Sequence, residues 1–201
     1  MTAFEAYLKL GFSHITDLNG YDHILFIVGL CAIYELRDWK KVLLLVTAFT
    51  IGHSITLALA TLKIVSLRSN VIEFLIPITI LLTAIGNFFY KSKVSRLNIK
   101  NTKEKPDRLR YSMALLFGLI HGLGFSNFLR SLLGKEESIL QPLLAFNIGL
   151  ELGQLLIVLI LLIIASICSV FFKVAKRDWN LVVSSMVIGI AITLIIKTNI
   201  F

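Results

Sequence analysis

The strongest constraint on this chain is the length of its apolar runs. Six stretches carry few charges: about Tyr21–Leu36, Val42–Leu62, Val71–Tyr90, Tyr111–Leu133, Pro142–Phe172 and Trp179–Ile200. A helix that crosses the hydrocarbon core needs about 20 mostly apolar residues. Lipid offers no partner to a free backbone N–H or C=O, so each run is expected to be helical. The first run is short. Pro77 is expected to kink the third. The fifth, at 31 residues, must tilt or break. Composition agrees. The 201 residues are 57% hydrophobic and 16% charged, with a mean hydropathy of +0.85. Soluble domains run at about 45–50% and about 25%. This balance excludes a disordered chain, nearly every soluble enzyme and a solvated nucleic-acid-binding module, so the partner is the lipid bilayer and no nucleic acid is expected.

Before the first run lies Ala3–Ile15, where Phe4, Tyr7 and Leu8 follow helical spacing. It is too short to span and lacks the basic start and cleavage site of a signal peptide. It reads as a re-entrant or interfacial half-helix. The sequence therefore predicts an all-α, polytopic membrane bundle of six transmembrane helices plus this half-helix, a single integral membrane domain over 1–201. Loop charge sets the orientation. Arg37, Lys40, Lys41, Lys91, Lys93, Arg96, Lys100, Lys103, Lys105, Arg108, Arg110, Lys173, Lys176 and Arg177 fall on one side. Lys9, Lys63, Arg68, Arg130, Lys135 and Lys197 fall on the other. The positive-inside rule puts the 91–110 loop in the cytoplasm and both termini outside. That loop divides the chain into two three-helix halves.

An ionisable side chain deep in a membrane is costly, so it faces the bundle and does work there. His14 ends the half-helix, and His23 follows Asp22 at the start of the first run. His53 and His121 sit near the centres of the second and fourth, and Glu151 lies deep in the fifth. One shared site would satisfy these groups together. Thr50, His53 and Ser54 share one helix face, as do Asn147, Glu151 and Gln154. Gly118 and Gly122, like Gly149 and Gly153, are spaced for close helix approach, which is expected to bring His121 and Glu151 toward each other. Asp17, Asn19 and Gly20 form a turn that could bring His14 to His23. Asp22 is a ligand, an orienting partner for an imidazole, or an N-cap.

Bland readings exist for each feature. Glu73 is solvated near the interface, Asn87 makes an interhelical hydrogen bond, and the abundant Phe and Leu form lipid-facing surface. Cys31 and Cys168 stand alone and form no thiolate site. The remaining donor set, imidazole with carboxylate, suits a borderline divalent ion such as nickel, cobalt or zinc.

Five blocks carry a family resemblance: Gly11-Phe-Ser-His-Ile, Gly20-Tyr-Asp-His-Ile-Leu-Phe, Thr47-Ala-Phe-Thr-Ile-Gly-His-Ser-Ile-Thr-Leu, Phe117-Gly-Leu-Ile-His-Gly-Leu-Gly-Phe and Phe146-Asn-Ile-Gly-Leu-Glu-Leu-Gly-Gln. In this order, over about residues 5–160, they resemble the HupE/UreJ family of bacterial membrane proteins. The resemblance implies an inner-membrane nickel or cobalt permease, with a metal role for His14, Asp22, His23, His53, His121 and Glu151. The Asp22-His23 pair is also similar to the signature of the wider nickel–cobalt permeases, at a different spacing.

The leading functional expectation is a divalent-metal transporter. The ion is caught by His14, Asp22 and His23, then passed to a deeper site of His53, His121 and Glu151, with Asp17, Thr50, Ser54, Asn147 and Gln154 in support. The alternative is an intramembrane metal-dependent hydrolase of the zinc type, acting on a lipid or membrane peptide. There Glu151 or Asp22 is the general base and Ser54 positions water or substrate. Association into a homo-oligomer is left open.

Overall fold

A computed structural model describes residues 2–90, 108–133 and 139–198. Within them lie eight α-helices: α1 Ala3–Thr16, α2 Asp22–Cys31, α3 Trp39–Thr61, α4 Ser69–Phe88, α5 Arg108–Gly124, α6 Ser126–Leu133, α7 Leu140–Val170 and α8 Lys176–Lys197. No strand occurs among the described residues. Four helices, α3 (with its preceding turn), α4, α7 and α8, are long and apolar enough to cross a membrane, or five spans if the bent α5–α6 pair counts as one. The 91–110 loop lies outside the described residues except for its last three, as does Lys135.

Three of the six expected spans appear as long continuous helices close to their expected bounds, and α4 runs through Pro77. The sixth begins three residues early, at Lys176. The first and fourth differ. The first is only ten residues of helix, because it gives way to a turn at Ala32–Ile33, where the Tyr34 amide donates to the Cys31 carbonyl at 2.9 Å. The Glu35 amide donates to the Asp38 carboxylate at 3.3 Å, and a 3-10 turn over Leu36–Asp38 leads into α3. The fourth is bent by 49° between α5 and α6. Gly122 and Gly124 weaken the helix there, and the Ser126 hydroxyl takes the Leu123 carbonyl at 2.7 Å. Arg130 on α6 then donates to the Ala60 carbonyl at the end of α3. The half-helix α1 is closed by a capping box: the Glu5 amide donates to the Thr2 hydroxyl and the Thr2 amide to the Glu5 carboxylate.

Backbone-to-backbone approach at glycines organises the bundle. A Cβ on Gly52 would run into the Leu115 carbonyl, one on Gly118 into the Phe49 carbonyl, and one on Gly122 into the His53 carbonyl. These three contacts seat α5 on α3. In the same way Gly11 meets the Phe146 carbonyl and Gly149 meets the Leu8 carbonyl, which seats α1 on α7. In both pairs the contact positions rise together along the two helices, so the partners run in the same direction. The glycine pairs of α5 and α7 thus serve different partners. They do not draw His121 and Glu151 together. Helix α4 packs on α8, where the buried Asn87 amide donates to the Gly29 carbonyl at 2.7 Å and the Ser184 hydroxyl at 3.0 Å. Asn87 is an interhelical link, as expected. At the same end Lys176 pairs with Glu35 at 3.2 Å and Lys41 with Asp38 at 3.2 Å, fastening α8 to the 3-10 turn.

Without a side-chain layer to absorb it, an added branch at these glycines forces the helices apart. Gly118→Val and Gly149→Val are expected to lower the thermal midpoint in detergent, at an overpacking cost of about 1–3 kcal/mol. Gly86→Ala and Gly189→Ala, where nothing lies within 4 Å, should leave it unchanged or raise it, by up to about 1 kcal/mol of helix propensity. Equal losses at all four positions would refute this account of helix seating.

Candidate metal centre

The glycine contacts carry histidines with them. His14 lies one turn beyond Gly11, His53 follows Gly52, and His121 sits between Gly118 and Gly122. His23 comes from the first turn of α2, just after the break that separates α1 from α2. In the turn at that break the Asn19 amide donates to the Asp17 carboxylate at 2.9 Å. The result is convergence. One ligand nitrogen from each of His14, His23 and His53 lies within 4.8 Å of the others. The ring centres of His14 and His23 are 4.8 Å apart, and those of His23 and His121 are 5.2 Å apart. His53 and His121 are fully buried and His23 is 5% exposed.

The hydrogen bonds leave at least one imidazole nitrogen unused on each ring. His23 Nδ1 faces the Asp22 carboxylate at 3.2 Å, and His121 Nδ1 faces the Phe117 carbonyl at 2.8 Å. Each acceptor holds the proton on Nδ1, which leaves Nε2 with a free lone pair. Nε2 of His14, His23 and His121, and both nitrogens of His53, are buried without a hydrogen-bond partner. An orphaned buried polar atom costs about 1–3 kcal/mol, and here several occur together. A cation that accepts lone pairs removes that cost. Nitrogens on a tetrahedral ion at about 2.0–2.1 Å stand about 3.3 Å apart, against the 4.8 Å within which the three ring nitrogens lie here. The donor set fits a borderline divalent metal. Asp22 touches His23 in the geometry of a carboxylate that orients and strengthens a metal-binding imidazole.

Aromatic rings enclose the imidazoles. Phe125 lies 4.0 Å from the ring of His14 and Phe146 stacks on His53 at 6.4 Å. Phe26 and Phe49 pack on His121 at 5.2 and 5.1 Å. Phe26, Phe49 and Phe146 are at most 1% exposed, so these phenylalanines are the wall of the site and not lipid-facing surface. The signal was in the spacing: Phe49 and Phe117 each precede a histidine by four residues, and Phe26 follows His23 by three. Two openings flank the cluster. One, about 590 Å³, is lined by His14, Asp17, Phe125 and Phe128; the other, about 260 Å³, is lined by Asp22, Glu73 and Thr198. A third cavity of about 300 Å³ extends from Phe117 past Ala114 and Thr83 to Tyr90 and Arg110.

Glu151 lies apart from the group. Its carboxylate accepts the hydroxyl proton of Thr47 on α3 at 2.8 Å. One turn away, Thr50 meets Gln154 at 2.7 Å. The Ser54 hydroxyl donates to the Thr50 carbonyl at 2.7 Å. Asn147 Oδ1 is buried without a partner. The structure thus brings together His14, His23, His53 and His121 with Asp22 behind them, and puts Glu151, Thr50 and Gln154 on the seam between α3 and α7, with Asn147 one helical turn before Glu151. The expected division into an outer His14/His23 site and a deeper His53/His121/Glu151 site is not what the geometry shows.

No curated protein and no solved structure gives a significant match to this chain. The family profile described as HupE / UreJ protein matches residues 1–198, beyond the 5–160 that the sequence blocks span. The chain belongs to the HupE/UreJ family.

Proposed function

We propose that the protein moves a divalent transition-metal ion, of the nickel or cobalt type implied by its family, across the bacterial inner membrane. The observation that carries this reading is the set of three imidazoles, from α1, α2 and α3, whose ligand nitrogens lie within 4.8 Å and whose Nε2 atoms lack partners. The site stands at a helix break, where transporters commonly build ion sites from chain segments able to move. Neutral imidazoles bind a divalent ion without the closed grip of a thiolate cage, so the ion can also leave. The positive-inside rule puts the end with Arg37, Arg110 and Lys176 in the cytoplasm. In that frame both openings beside His14 and Asp22 face outside. The inner cavity is lined by Arg110, whose guanidinium donates two bonds to Asn87 Oδ1 at 3.2 Å and lies over the Tyr90 ring. A fixed guanidinium at the inner end repels a cation, so the arrangement fits a state open to the outside.

The hydrolase alternative gains less support. Glu151, its expected base, is held by Thr47 away from the imidazoles, and the Ser54 hydroxyl is donated to a backbone carbonyl. Asp22 is engaged by His23.

Two measurements test this. Elemental analysis of the purified protein is expected to find one divalent ion per chain, lost in His53→Ala. Asp22→Asn keeps that stoichiometry at saturation with affinity lowered about 10–100-fold, the usual cost of removing a partner behind a ligand. Full metal content in His53→Ala would sink the site. In proteoliposomes, uptake of nickel or cobalt is expected to be inhibited by zinc and insensitive to magnesium, which prefers oxygen donors. A protein that retains its metal through chelator washing and shows no uptake is not a permease.

A further inference from the structure

We propose that the α3–α7 seam holds a second cation site, made of oxygens from Glu151, Asn147 and Thr47, that takes a small monovalent ion of the sodium class. Glu151 sits eleven residues into an apolar helix of 31. Among the described residues its partner is a neutral hydroxyl, that of Thr47 at 2.8 Å, and no cation pairs with it. A carboxylate in that setting is expensive unless a positive charge accompanies it. Four residues earlier on the same helix face stands Asn147. Its Oδ1 is buried and has no donor. A carboxylate, an amide oxygen and a hydroxyl that keeps its lone pairs are therefore presented side by side, and each of them attracts a cation. Thr50 and Gln154 continue the same seam one turn on.

The donor chemistry separates this site from the imidazole centre. Oxygen donors suit hard cations, whereas imidazole suits nickel, cobalt and zinc. Charge decides the valence. One carboxylate neutralises one unit of charge, and a divalent ion would leave a net positive charge between two apolar helices. The ionisable groups on the elements packed against α7 are Glu5, Tyr7, Lys9 and His14 on α1, Asp22, His23 and Cys31 on α2, Arg37 and Asp38 on the 3-10 turn, and Lys40, Lys41 and His53 on α3. Contacts on α7 from α1 come through Leu8, Gly11, Phe12, Ile15 and Thr16, and the His14 and His53 rings pack on Phe146 at 5.8 and 6.4 Å; the α3 groups that reach Glu151 and Gln154 are threonines. Among the described residues no Lys or Arg is bonded to Glu151, so one carboxylate is what the seam offers to balance a bound ion. This inference stands whether or not the imidazole centre transports its metal.

The test uses the purified full chain in detergent, with the thermal midpoint read in sodium, potassium and choline chloride at equal ionic strength. Sodium is expected to raise the midpoint saturably and choline not at all. Glu151→Gln and Asn147→Ala should each abolish the sodium shift while keeping the divalent-metal content of the unaltered protein. Direct binding of radioactive sodium to Asn147→Ala, expected to be lost, decides the matter if Glu151→Gln does not fold. Three results overturn the proposal: an equal shift in choline, a sodium shift retained in both variants, or a midpoint that follows pH with no response to sodium. Loss of divalent metal from folded Glu151→Gln also overturns it, because Glu151 would then belong to the imidazole centre. A failure of the transport reading shows instead as absent metal uptake with the sodium shift intact.

Discussion

Everything in this molecule depends on how closely two pairs of helix backbones approach. In lipid there is no hydrophobic force between helices, so association rests on van der Waals contact and hydrogen bonds. At Gly52, Gly118 and Gly122 the backbones of α3 and α5 touch directly, and at Gly11 and Gly149 so do those of α1 and α7. Each contact removes one side-chain layer. The histidines one to four residues away are carried inward by the same amount. His53 and His121 come in on the first pair and His14 on the second; α2 then adds His23 from its first turn. An ordinary helix spacing at either contact would leave the imidazoles too far apart to share an ion. The cluster is thus a consequence of backbone geometry before it is a matter of side-chain chemistry.

Helix breaks supply the second ingredient. A continuous helix presents one side chain per turn to a given face. The break between Thr16 and Asp22 lets one strand of sequence present His14 and His23 from two helix ends to the same point. The bend after Gly124 similarly brings Phe125 over the His14 ring, 4.0 Å away. Both breaks occur where Asp, Asn, Gly and Ser weaken the helix and take up its backbone partners. Rings at these ends are packed by aromatics and not by the hydrogen-bond donors that would consume their lone pairs.

Much of this was legible in the residues. Long apolar runs announce helices because lipid leaves no other choice, and all four histidines could be picked out because an ionisable group in such a run needs a reason. What the sequence cannot carry is which helix faces which. Periodicity places Gly118, His121 and Gly122 on one face of α5, and Asn147, Glu151 and Gln154 on one face of α7. It does not say that the first face meets α3 or that Gly149 and Gly153 turn to α1. The expectation that His121 and Glu151 approach one another failed for that reason alone. Phe26, Phe49 and Phe146 were misread because abundance, a property of the whole chain, stood in for position relative to each histidine. The shortness of α2 lies in a turn at Ala32–Ile33, closed by the Tyr34 amide on the Cys31 carbonyl, which the apolar run around it does not announce.

Separating Glu151 from the histidines has a chemical consequence. A site mixing three imidazoles with a carboxylate would hold a divalent ion with partial charge neutralisation and greater affinity. Imidazoles alone leave the ion's full charge to be balanced from outside the first ring of contacts. Asp22 is the group in position to do so, since it lies behind His23 at 3.2 Å and also lines the 260 Å³ opening. Under the proposed transport its single charge would favour binding without making it permanent. Moving a second carboxylate into contact would deepen the well by several kcal/mol at the effective dielectric of a partly buried site, and the dwell time would lengthen by orders of magnitude. The proposed transport needs release as well as binding, and Glu151 on another seam, tied to Thr47, agrees with that need.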